Sequence, residues 1–311
     1  MDPNRFVPRD RPGILKHMEK SRHPDARTTL RYLEYPPPPA LHAHTECLWM
    51  VWDSARRARR PPDRVVPDGC PELIIHLADC FSRQHGRRWV RQPRAFLAGA
   101  LTRPWLVRGG PRLRTLGIRF RPGSVTRWFD VDMKRTADRE VPLDRLIGRG
   151  EARALLARLD RVTTQGGIVR LAERWLLARP VRAEGPGDEA ARAGVRKLIA
   201  GRGRTRIAAL ADQLGVSPRQ LERGFARNLG LRPKLFARIV RLHAALALLA
   251  AEDRIAAVDW ALEAGYFDQA HLARDFRVVA GRPARSGGER DGELARHFTA
   301  PKRLLAFLSG E

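Results

Sequence analysis

Between residues 31 and 121 the apolar positions come in short blocks: RYLEY, CLWMVW, ELIIHL, RWVRQ, AFLAG, WLVR and LRTLGIRF. They are rich in aromatic, leucine and β-branched residues, are spaced about 8–15 residues apart and are punctuated by Gly, Pro and Asp, a pattern that predicts an antiparallel barrel or sandwich. After Pro122 the period changes. VTRWF, EARALLARLD and GGIVRLAERWLLARP repeat apolar residues at three and four, as one face of a helix does. VRAEGPGDEAARAG (181–194) has the Gly, Pro and charge content of a linker, and 195–281 returns to helical spacing nearly throughout. The expected organisation is a loose segment at 1–30, a sensor and oligomerisation domain at 31–180, the linker, a helical domain at 195–283 and a tail at 284–311. The fold class is thus α+β multidomain: an N-terminal β-barrel or sandwich-like domain with trailing helices, then an all-α domain.

The helical domain contains a repeat. GVSPRQLERGFARNLG (215–230) and GYFDQAHLARDFRVVAG (265–281) pair Leu221 with Leu272, Arg223 with Arg274, Phe225 with Phe276 and Gly230 with Gly281. In the first copy Ile207, Leu210, Ala211 and Leu214 share one helix face, and Gly215 ends that helix. Ser217 is an N-cap and Pro218 sits at the first helical position, where a missing N–H does no harm. The second copy has Ala261 and Leu262 before Gly265, then Asp268 as N-cap. Two short helices about a Gly turn, the second with a polar outer face, are a helix-turn-helix. Between the copies, 232–253 reads as an uninterrupted helix; its ~18 residues span roughly 27 Å, against ~34 Å between successive major grooves. Two helices so spaced can reach both grooves on one side of a duplex.

Composition sharpens part of this picture and blurs another. The 311 residues suit two domains, and the formal net charge is +25. That charge divides as roughly +17 over residues 1–185 and about +8 over 186–290, so it is not concentrated on the helical repeat. It favours a polyanionic partner and salt-sensitive association without identifying either. The longest apolar run, AALALLAA (244–251), is far short of the ~20 residues of a membrane span. MDPNRFVPRDRPG has no secretory apolar core. Cys47, Cys70 and Cys80 form no CxxC pair, which fits reduced thiols; the expected location is cytoplasmic, with no membrane partner.

IAALADQLGVSPRQLERGFARNLGLRP and ALEAGYFDQAHLARDFRVVAG resemble the two helix-turn-helix units of the AraC/XylS family of bacterial transcription regulators, over about 195–283. GRPARSGG departs from that family's closing pattern, lacking the threonine before proline. The resemblance implies double-stranded DNA as partner, with Arg219, Glu222, Arg223 and Arg227 on the first recognition helix and Gln269, Ala270, His271 and Arg274 on the second. Arg suits guanine edges and phosphates, Gln suits adenine, and Glu accepts from cytosine. PDGCPELIIHLAD (67–79), FLAGALTRPWLV and LGIRFRPG resemble the N-terminal domain of a subgroup of these regulators. This implies a small-molecule effector, a homodimer and, for an activator, an RNA polymerase contact. Leu155, Leu159, Leu171, Trp175 and Leu176 form an apolar stripe that suits either self-association or packing on the β-domain.

A second class of function starts from HAHTE (42–46), where His-x-His with a carboxylate is a Zn or Fe ligand grouping. That reading is a cupin-like metalloenzyme or DNA-modifying protein with an appended helix-turn-helix. The Glu follows too soon for cupin spacing, and His76 comes late in the companion segment. Cys70 with His76 and Asp68 offers no general base, and RRARR (56–60) reads as an exposed loop. The chain has no phosphate-cradling Gly loop, GxSxG elbow or HExxH. The expectation is a regulator that is not an enzyme, with no cofactor and no metal.

Overall fold

The structure, a computed structural model, describes residues 29–56, 60–251 and 261–281. Strands β1 (Leu30–Tyr35), β2 (Thr45–Asp53), β9 (Arg114–Phe120), β4 (Glu72–His76), β7 (Ala95–Ala98) and β10 (Glu140–Pro142) form an antiparallel sheet in that order. A smaller sheet has the order β3 (Asp63–Val65), β8 (Trp105–Arg108), β5 (Ser82–His85), β6 (Arg88–Arg91). The two remain separate, so the domain is a sandwich and not a closed barrel. All seven strand blocks expected from the sequence are present. The three short strands β3, β5 and β10 carry no apolar run (DRV, SRQH, EVP) and left no hydrophobic signal.

Why CLWMVW is apolar at every position follows from the large sheet's being covered on both faces. Leu48 and Met50 point to one side with Leu73, Ile75, Leu97, Leu116 and Ile118. Cys47, Trp49 and Val51 alternate to the other, against Phe81, Phe96, Trp105 and Val107 between the sheets. Side chains of a strand alternate with period two, so a doubly covered strand needs both sets apolar. The first side is closed by helices α3 (Arg149–Asp160) and α4 (Gln165–Leu177). Leu155, Leu159, Leu171, Trp175 and Leu176 are all buried in that contact, which removes them as a self-association surface. The short helices α1 (Met133–Thr136) and α2 (Leu143–Ile147) complete the half.

Two expectations change. The segment read as linker is helical from Pro186 onward, because α5 (Pro186–Ala200) starts with Pro at N1 and Asp188 accepting from the Gly185 N–H at 3.1 Å. Pro and Gly here open a helix instead of interrupting one. Arg60, expected in an exposed loop, is buried against Asp53 at 2.8 Å and donates to the Gly110 carbonyl at 3.0 Å; 57–59 lie outside the described residues. So do the loose segment 1–28 and the tail 282–311.

The helical half comprises α5, α6 (Ile207–Gln213), α7 (Pro218–Leu229), α8 (Pro233–Ala251) and α9 (Gln269–Ala280) around one core. That core also takes Val66 and Ala100 from the sandwich. At this junction the Thr126 hydroxyl donates to Asn228 Oδ1 at 3.1 Å, and the His243 Nε2–H donates to the Pro67 carbonyl at 2.7 Å. Gly69 (φ +81°) lies so close to α8 that a Cβ would come within 2.6 Å of the Phe236 ring.

Burial lowers the pKa of His243 from 6.5 to about 4, the Pro67 hydrogen bond raising it in part and Arg119 lowering it further. The unfolded chain therefore binds protons at this site between pH 6.5 and about 4 that the folded chain refuses. Its contribution to stability is full above 6.5 and declines as pH falls towards 4. The melting temperature should fall over that window, and His243→Gln, which keeps an N–H donor without titrating, should make the fall shallower. An equal slope in thermal scans of both proteins assigns the acid loss elsewhere.

Candidate nucleic-acid interface

The two turns of the repeat are built alike. Gly215 adopts φ +63°, and the Val216 N–H reaches back to the Ala211 carbonyl at 3.1 Å. Gly265 adopts φ +82°, and the Tyr266 N–H reaches the Ala261 carbonyl at 2.8 Å. Both are left-handed helix ends, a backbone state that favours glycine. Ser217 Oγ then accepts from the Gln220 N–H at 3.2 Å while Gln220 Oε1 accepts from the Ser217 N–H at 2.8 Å, a capping box that starts α7. Asp268 Oδ1 does the same work for α9, accepting from the His271 N–H at 2.6 Å.

Each helix is anchored by residues that the repeat aligns, Leu221 with Phe225 and Leu272 with Phe276, all buried. The second turn is one residue longer, and the extra residue, Phe267, is 86 % exposed. Leu262, which as the counterpart of the first copy's apolar face is expected inside, is instead 56 % exposed, and Ala261 and Ala264 make the buried contact before the turn. The described part of the helix entering that turn begins at 261. The inner side of α9 is fixed to α8 by Arg238 Nε donating to the buried Asp275 at 2.6 Å.

On the outer faces, Arg219, Glu222, Arg223 and Arg227 of α7 are exposed, as are Gln269, Ala270 and Arg274 of α9. His271 differs, half-buried and edge-on to the Tyr266 ring at 5.0 Å. The α7 set lines a cleft of about 680 Å³ whose other wall comes from the β-domain and the chain leaving it: Asp130, Asp132, Lys134, Arg182 and Glu184. The wall's acids are engaged there. Glu184 pairs with Arg127 at 3.3 Å and with Arg192, and Asp130 pairs with Arg182 at 3.1 Å. Asp188 accepts from Asn228 Nδ2 at 3.0 Å. Among the described residues Arg219, Arg223 and Arg227 form no ion pair, although Arg227 helps hold the Asp188 carboxyl below its ordinary pKa and Glu222 lines the same cleft. Sequence spacing gave no sign of Lys134 or Arg182 beside α7, since they come from two distant segments; Arg232 follows α7 directly in the chain.

Between the sheets lies a smaller cavity of about 60 Å³. Trp49, Phe81, Trp105 and Val107 give apolar walls; Asp68, Cys70, Glu72, His76, Gln92 and Arg119 add polar ones. Arg119 pairs with Asp68 and, at 2.9 Å, with Glu72. Burial lowers the His76 pKa to about 4, and its Nδ1 lies 3.2 Å from Thr115 Oγ1. Burial, with Glu46 and Glu72 nearby, pushes the Cys70 thiol up. Cys70, His76 and Asp68 therefore meet, as lining of one cavity. In HAHTE, His42 is exposed, while His44 is half-buried, edge-on to Trp128 at 5.4 Å, its pKa lowered mainly by burial. Among the described residues no group of three or more His, Cys, Asp or Glu is placed to hold a metal ion. No described helix is long and apolar enough to cross a membrane.

Comparison with known proteins adds to this geometry. Residues 210–286 match the family model "Helix-turn-helix domain", and 33–142 match "Domain of unknown function (DUF6597)". The paired units define a helix-turn-helix DNA-binding protein of the transcription-regulator class. The helix-turn-helix match falls on the two units, and the second match falls on the N-terminal sandwich. No curated protein matches the chain. Similar solved structures include fatty-acid-bound ToxT from Vibrio cholerae, 9 % identical over 72 % of this chain and 90 % of that one, TM-score 0.40. ToxT of strain O395 with a naphthalenyl-butenoic acid is 7 % identical over 89 % and 99 %, TM-score 0.38. The AraC-like activator CuxR is 13 % identical over 72 % and 86 %, TM-score 0.23.

The equivalence of the two units is testable through stability. Ser217→Ala and Asp268→Ala should each cost about 1 kcal/mol. Their costs should add, because the caps share no partner. Urea unfolding of the single and double variants measures both; strong non-additivity breaks the picture of two separately capped units.

Proposed function

We propose that this regulator reads two successive major grooves of one duplex face with α7 and α9. The observation that carries the reading is the repeated build: the same left-handed Gly turn, N-cap and buried Leu/Phe pair, each presenting exposed polar residues outward. The 19 residues of α8 extend roughly 28 Å, which suits the separation of adjacent grooves. Arg219, Glu222, Arg223 and Arg227 serve the first groove, as base and phosphate contacts. Gln269, Ala270 and Arg274 serve the second, with His271 at its margin. The sandwich modulates this binding through a small-molecule effector held in its cavity. Self-association, and a contact with RNA polymerase in an activator, belong to the same reading, as does a cytoplasmic location. The protein acts by binding and not by catalysis.

Selection of bound sequences from a random duplex library, with full-length protein at ~150 mM salt, tests it. Two short half-sites about one helical turn apart should be enriched. Arg223→Ala or Arg274→Ala should then weaken the selected duplex by ~1–3 kcal/mol and relax preference at one position, with the melting temperature unchanged. Tight binding at low salt without enrichment means that charge alone drives association, and the reading fails.

A further inference from the structure

The turn Pro67-Asp68-Gly69-Cys70 belongs to two environments at once. On one side Val66, Asp68 and Cys70 line the cavity between the sheets. On the other side Val66 enters the helical core, the Pro67 carbonyl takes the His243 proton donor at 2.7 Å, and Gly69 lies under Phe236. Phe236 in turn packs on Phe225 of α7, ring centroids 6.1 Å apart. The chain from cavity wall to recognition helix is thus turn, Phe236, Phe225, with every link in contact.

Space decides which link moves. A cavity of about 60 Å³ holds a few waters. It is several-fold smaller than the ~300–1,000 Å³ of typical ligand sites. An effector must therefore displace part of the lining. Trp49, Ile74, Ala98 and Val107 sit on strands held by ladders to neighbours on the sheets. The turn has no ladder; its local restraints are the Cys70 N–H on Asp68 Oδ1 at 2.8 Å and the Asp68–Arg119 pair. It is the wall that yields, and its outer side is already seated on α8.

We infer that the 67–70 turn transmits occupancy of the sandwich cavity to the DNA-binding domain, by shifting against Phe236 and His243 and so changing how α7 is held. This rests on the proposed effector and DNA reading and names the regulation within it. Packed interfaces have discrete arrangements, so a small displacement at the turn becomes a change of state.

The test replaces the unidentified effector by a side chain. Val107→Phe fills the cavity from β8, and the affinity of full-length protein for its selected duplex is measured by fluorescence anisotropy, with and without His243→Ala. Cavity filling should change affinity by about fivefold or more in the wild-type background and by under about twofold in the His243→Ala background. Equal effects in both backgrounds, or no effect in either while near-ultraviolet circular dichroism stays native, overturn the inference. Should Val107→Phe fail to fold, Val107→Leu is the filler and the same criteria apply. Failure of the wild type to bind any selected duplex is a different result, and counts against the DNA reading itself.

Discussion

Phe236 can lie against the sandwich because residue 69 has no side chain and a backbone conformation, φ +81°, that other residues resist. From that contact the rest of the arrangement follows. The same ring meets Phe225, the anchor of α7, and the same helix carries His243 to the Pro67 carbonyl and Arg238 to Asp275 of α9. Helix α8 is therefore a spacer between two helix-turn-helix units and also one support by which they rest on the β-domain, which α7 meets directly through Asn228. The junction is largely apolar, with a few buried hydrogen bonds fixing its register, so Val66 and Ala100 belong to a core otherwise made of helices. A buried hydrogen bond is costly to leave unmade, so Thr126–Asn228 and His243–Pro67 tie the geometry of one half to that of the other.

Local signals in the sequence were strongest where one residue type has one physical use. Gly215 and Gly265 mark left-handed turns, Ser217 and Asp268 mark helix starts, and the Leu/Phe pairs mark buried faces; all these were legible from spacing. The seven apolar strand blocks were legible for the same reason. Strands such as Ser82–His85 were not, because their pairing is dictated by neighbours and not by their own composition. The stripe of Leu155, Leu159, Leu171, Trp175 and Leu176 was visible, but an apolar stripe does not say what covers it; here it is the sheet. Leu262 and Arg60 show the converse, a leucine left exposed and an arginine taken inside by Asp53. The cleft beside α7 was beyond any reading of the sequence, since its walls are assembled from segments far apart in the chain.

That cleft also gives the charge a local meaning which the net value of +25 lacks. On the β-domain side, acids and arginines neutralise one another within the wall. On the α7 side Arg219, Arg223 and Arg227 line the opening outside any ion pair among the described residues, with Asp188 and Glu222 as the nearby acids. Net charge describes an average over the surface, whereas a polyanion responds to the cations that remain uncompensated. The wall bounds how a duplex can approach α7 while the two halves keep this arrangement. In the proposed reading, it makes α7 more dependent on domain placement than α9.

The one-residue difference between the two turns sets the copies apart. Phe267 stands exposed where the first unit has nothing, and the outer faces carry different residues in the same framework. A symmetric dimer reads a palindrome because its two reading heads are identical and related by a dyad. In the proposed reading two unequal heads sit in tandem on one chain, with no dyad between them. A duplex that engages both is bound with a polarity, and turning the site end for end presents each helix with the other's groove.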